Sequence, residues 1–73
     1  MEKFYNEIQP VFERLKQPIP EFIYNEDTKE YIAIDGYTKD NYDYTIIVRE
    51  DGQVVYGMVE GNKFYEEDTL GYI

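Results

Sequence analysis

Phe4, Tyr5, Ile8, Val11, Phe12 and Leu15 recur at spacings of three and four. This is the mark of a helix with one apolar stripe, and it predicts an amphipathic helix over about 3–16 whose apolar side must dock on another layer. Pro10 complicates the pattern, because a proline inside a helix deletes one hydrogen bond and presses on the carbonyl four residues earlier, at Asn6. Either the helix bends there, or it begins at Asn6 with Gln9 completing a partial capping box. Pro18 and Pro20 force their predecessors into extended geometry and end the element.

From Glu21 onward the period becomes two. Runs over 21–25 and 30–37, separated by a polar turn, read as a first hairpin. Runs over 42–49 and 53–60, separated by Glu50-Asp51-Gly52, read as a second, and 63–67 follows a tight turn at Gly61-Asn62. The expected fold is therefore α+β: one N-terminal amphipathic helix packed on a four- to five-stranded antiparallel meander sheet, in a single domain over 1–73.

If Gly52 is the left-handed residue of a three-residue loop, Arg49 faces Gln53 and Val48 faces Val54. Tyr44, Ile46, Val48, Val54, Tyr56 and Met58 then share the face beneath the helix. A two-residue turn at Asp51-Gly52 would place Val55 and Val59 there instead, because a slip of one residue exchanges the two faces. The last residues, "EEDTLGYI", form either a short final strand or a tail.

Length changes what this pattern can support. A chain of 73 residues buries only about 60 per cent of the surface that its unfolded form exposes. There is no Cys and no His, so disulfides, thiolate chemistry and the commonest zinc ligand are excluded, and a reducing, cytoplasmic setting is expected. The charged N-terminal segment, interrupted by Pro10, lacks the apolar core expected of a secretory leader, and no run approaches the ~20 apolar residues of a membrane span.

Sixteen Asp and Glu against seven Lys and Arg leave a net charge of −9. That charge argues against direct binding to nucleic acid or to an anionic membrane.

Carboxylates are the only plentiful reactive groups. A paired-acid hydrolase needs a cleft that raises the pKa of one member, and a single sheet with one helix offers little room for one. The segment "DGYTKDNYD" fails as a calcium loop, since Tyr37 and Lys39 occupy ligand positions and Asn41 is out of phase. No catalytic residue, cofactor or metal site is expected.

Nine tyrosines suit strands, but Tyr37, Tyr42, Tyr65 and Tyr72 stand at loops or strand ends, where tyrosine favours protein contact. In a meander, alternate turns share one end. Glu26, Asp27 and Glu30 of the first turn, Glu50 and Asp51 of the third, and Glu66, Glu67 and Asp68 at the end of the fifth strand are expected to converge, with Tyr65 at the rim.

Such a pole suits a small acidic inhibitor, a nucleic-acid mimic of phage or mobile-element type, whose partner is a larger protein with a basic nucleic-acid-binding surface. The alternative is an immunity- or antitoxin-like regulator that binds through the uncovered sheet face around Thr45, Ile47, Val55 and Val59, or that forms a homodimer through it.

Overall fold

The computed structural model describes residues 2–73. One N-terminal helix, α1 (Glu2–Leu15), is followed by six strands: β1 (Phe22–Asn25), β2 (Glu30–Ala33), β3 (Tyr37–Lys39), β4 (Tyr42–Val48), β5 (Gln53–Glu60) and β6 (Lys63–Tyr72). The strands form one antiparallel sheet in the order β1-β2-β4-β5-β6, with β3 also paired to β4.

The helix is continuous through Pro10, which is exposed, so the start at Asn6 does not occur. Its stripe of Phe4, Ile8, Val11 and Phe12 is buried. Lys16 ends it in the left-handed region (φ 57°). There the Lys16 amide donates to the Glu13 carbonyl and the Gln17 amide to the Phe12 carbonyl, a Schellman pair that satisfies two otherwise orphaned acceptors.

The extended segment expected over 30–37 is two strands. β2 pairs Ile32 with Ile47, whereas β3 pairs Tyr37 with Tyr44, so two extra residues are accommodated between them. At the break the Ile34 amide donates to the Glu21 carbonyl (2.8 Å), which carries the β1–β2 pairing one residue past the end of β2. β3 then returns into β4 through Asp40-Asn41, both at positive φ (53° and 70°), as a two-residue hairpin turn of the mirror-image type requires.

The β4–β5 hairpin has the three-residue loop. Arg49 and Gln53 bond across it, the Gly52 amide donates to the Arg49 carbonyl, and Val48 pairs with Val54. Gly52 lies at φ 93°, and a Cβ on it would sit 2.5 Å from the Ile73 carbonyl oxygen. Both conditions exclude a side chain there.

The residues after Glu67 are neither a tail nor a separate strand. They continue β6 to Tyr72, opposite Gln53. Acidic residues do not stop this strand because it is the sheet edge, open to water, and two register shifts bend it.

The face of the sheet toward α1 is the front. Ile46, Val48, Val54 and Tyr56 meet Phe4, Ile8, Val11 and Phe12 there, joined by Phe22, Ala33 and Tyr37. Tyr44 packs at the margin of this core, whereas Met58, expected beneath the helix, is exposed. Phe4 stacks on Tyr31 with ring centroids 3.8 Å apart, and the Tyr5 hydroxyl accepts from the Phe22 amide (3.0 Å). Among the described residues no buried side-chain polar atom lacks a hydrogen bond, and no helix is long and apolar enough to cross a membrane.

The molecule measures 31 × 30 × 18 Å. The short dimension is one helix on one sheet, so the back of the sheet has no second layer over it.

Candidate functional site

Two hairpin turns lie side by side at one end of the sheet. Antiparallel pairing of β2 with β4 sets Tyr31 opposite Val48, so the residues leaving the first turn face those entering the β4–β5 loop. Asn25 shapes the first turn by accepting from the Asp27 amide (2.9 Å), and Lys29 closes it at φ 58°. In the second, Asp51 accepts from the Gln53 amide (2.9 Å). Such bonds are how short acidic side chains stabilise turns.

Glu26, Asp27, Glu30, Glu50 and Asp51 are thereby gathered at this end, with Lys29 and Arg49 as the nearby cations. Thr28, Glu30, Arg49, Glu50 and Asp51 line one shallow hollow. Beside it, toward the start of α1, lies a hollow of about 440 Å³ that includes Phe4, Tyr24 and Tyr31 with Glu7, Glu50 and Lys3.

Arg49 does not face outward as a counter-charge. Its guanidinium holds Glu66 at 2.7 Å, stands 4.0 Å from Glu30, and donates to the Gln53 side chain at 3.2 Å. Gln53 in turn donates to Thr69 (2.9 Å). These partners come from β2, β5 and β6, so the group lies across the back of the sheet.

The expected convergence of eight acids is only partly realised. Glu66, Glu67 and Asp68 stand midway along β6 rather than at its end, because the strand runs on to Tyr72. Glu66 is drawn toward the turns by Arg49. Asp68 is opposite Tyr56 and accepts from the Thr69 amide, and Glu67 is close enough to Tyr44 to help raise its phenol pKa. Tyr65 is also displaced from the rim. It pairs with Met58, toward the opposite end, and the exposed tyrosines near the acidic turns are Tyr24 and Tyr72. Among the described residues no three carboxylates come close enough to hold a metal ion.

The chain matches no family model, no curated protein and no solved structure.

The four residues of the alternative surface share the back face but differ in access. Val55 and Ile47 are buried, Thr45 is half-buried and Val59 is exposed. Cross-strand register places Ile23, Ile32, Ile47, Val55 and Thr69 in one row across the sheet. The Arg49 bridge between Gln53 and Glu66 passes over the middle of that row, which explains why Val55 is fully buried on a face without a helix. Ile23 and Ile34, also exposed, extend the surface toward the other edge. The unbroken apolar runs in "EFIYN" and "YIAID" are the signal that marks them, since successive strand residues point to opposite faces.

Of the tyrosines expected at an interface, Tyr37 is buried and packs edge-on against Tyr56, with ring centroids 5.3 Å apart. The Lys39 ammonium donates to the Tyr56 hydroxyl (3.0 Å), which holds its pKa above the ordinary lysine value. Its position 5.1 Å from the ring centroid reflects that hydrogen bond more than a contact with the ring face. The Tyr44 phenol is raised chiefly by desolvation and then by Glu67.

Proposed function

We propose that this chain is a small acidic binding protein whose β1–β2 and β4–β5 turns enter a basic, nucleic-acid-binding site on a larger protein and occupy it. One observation carries the reading: Glu26, Asp27, Glu50 and Asp51 stand on two adjoining turns with Glu30 beside them at the start of β2, while the nearest arginine, Arg49, makes its close ion pair with Glu66 (2.7 Å) and reaches only Glu30 among the five, at 4.0 Å. Their mutual repulsion is relieved when a partner's Arg and Lys approach, which steers association and makes it salt-sensitive.

The imitation is local. Over its 31 Å length a net charge of −9 is about one per 3.4 Å, against about one per 1.7 Å in duplex DNA. The turn end, where Glu26, Asp27, Glu50 and Asp51 are gathered, is the part that would imitate it. Tyr24 and Tyr72 beside it supply aromatic contact area of the kind protein interfaces favour.

The test is affinity capture from the source cell with the wild-type chain and with Glu26, Asp27, Glu50 and Asp51 each changed to Lys. A captured protein that is released by ~0.5 M salt, is displaced by duplex DNA and is absent with the variant fulfils the proposal. A partner that binds both chains equally, or resists salt and DNA, refutes it.

A further inference from the structure

We propose that the uncovered back of the sheet is a self-association surface, on which a second copy of this chain packs sheet to sheet about a two-fold axis. The inference uses the broad side of the slab rather than the turns at its end, and shares only Glu30 with the acidic site.

Size is the first argument. The broad side measures 31 × 30 Å, and a standard protein interface takes about 800 Å² from each partner, so the face is large enough for one. Its apolar content is out of proportion to its exposure: Ile23, Ile34 and Val59 are 52%, 55% and 53% exposed. Ile32 and Phe64 are half-buried beside them. Two such sheets packed about 10 Å apart would bury these side chains between them and leave both helices outside.

Charge is the second argument. Three acids on this face have partners within one copy: Glu66 and Glu30 share Arg49, and Asp43 accepts from the Thr38 hydroxyl (2.9 Å). A cationic partner therefore has little to neutralise here. Glu30, at 4.0 Å from Arg49, is the weakly held member, and a two-fold axis lets Arg49 of each copy reach Glu30 of the other. The same residue pair is used twice, as an isologous contact requires.

Access is the third argument. The sheet edges are poor templates for another chain, because β1 and β3 have four and three residues. β6 is interrupted by two register shifts and carries Glu66, Glu67 and Asp68. A second copy is left with the face.

Salt distinguishes this contact from the one proposed for the turns. Two bodies of −9 repel, so screening strengthens their association while weakening that with a basic partner. Sedimentation equilibrium of the whole chain, from about 10 to about 500 µM and in about 0.05 and about 0.5 M NaCl, should show a dimer that tightens with salt. Val59→Glu and Ile34→Glu should each weaken it by about tenfold or more with the melting temperature retained, since both positions are exposed. Glu50→Lys with Asp51→Lys should leave the dimer intact. A wild-type chain that stays monomeric at the highest concentration and salt overturns the proposal. A dimer indifferent to both back-face substitutions, or one that dissociates as salt is added, does the same.

Discussion

Replacing Arg49 by Met keeps most of the aliphatic stem and removes the charge and the donors, so it isolates the polar bridge across the back of the sheet. The guanidinium makes one close ion pair, to Glu66 at 2.7 Å, and donates one long, partly solvated hydrogen bond to the uncharged Gln53 amide at 3.2 Å, while Glu30 at 4.0 Å lies at the limit of contact. The Arg49 and Glu66 side chains are 37% and 38% exposed, so the pair is credited with the ~0.5–1 kcal/mol of a solvated ion pair rather than a buried one. The hydrogen bond adds about 0.5–1 kcal/mol, giving an expected loss of about 1–2 kcal/mol. In a domain of this size each kcal/mol lowers the melting temperature by roughly 4–8 °C. Urea denaturation with an unchanged m-value is the appropriate measurement.

A double-mutant cycle with Glu66→Gln should return a coupling of about 0.5 kcal/mol or more. Glu67→Gln is the control. In a chain of net charge −9, removing an unpaired acid relieves self-repulsion, so Glu67→Gln should be neutral or stabilising, whereas Glu66→Gln should destabilise. Equal effects of the two substitutions, or no coupling between Arg49 and Glu66, would refute the bridge.

Two further outcomes follow from the loop and from the tyrosine end. Gly52→Ala forces a Cβ onto a residue at φ 93° and against the Ile73 carbonyl, and should cost at least about 1–2 kcal/mol; an unchanged denaturation midpoint would mean the loop is not held as described. Lys39 and Tyr44 both bind their protons more tightly when folded than at their ordinary values of 10.5 and 10.0. Their contribution to stability is therefore complete below about pH 10 and is lost as pH rises through the raised values. A pH series of melts should fall there, less steeply in the Lys39→Met, Tyr44→Phe double variant, and an identical slope would exclude these two groups as the cause.

What could be read from the residues divides along physical lines. The helix stripe was legible because burial leaves a periodic mark, whereas Gly52 marked the β4–β5 turn but left two registers open, of which the structure takes the three-residue loop. The break between β2 and β3 was not read, although Asp35-Gly36 is a turn-forming pair, because the apolar run on either side of it continues to Tyr37 and the two separate pairings are set by a distant strand, β4. The last strand was ended too early at 67 because three consecutive acids look like a terminus. At a water-exposed edge they are ordinary strand residues. Misplacing that boundary moved Glu66, Glu67 and Asp68 to the pole, and it hid Arg49, whose role depends on Glu66 standing mid-strand beside it. Hollows and side-chain bridges that join three strands have no one-dimensional signature.

Gly71 closes the molecule: a Cβ there would lie 2.8 Å from the Arg14 guanidinium and 3.3 Å from Val11, so the first element rests directly on the final one. During synthesis from the N-terminal side, the hairpins can zip one after another, each from neighbouring stretches of chain. The oily stripe of α1 nevertheless waits for Leu70 and Gly71 before its seat is whole. Until those residues emerge the apolar stripe of α1 lacks part of its cover, so the final docking of α1 follows the pairing of β6.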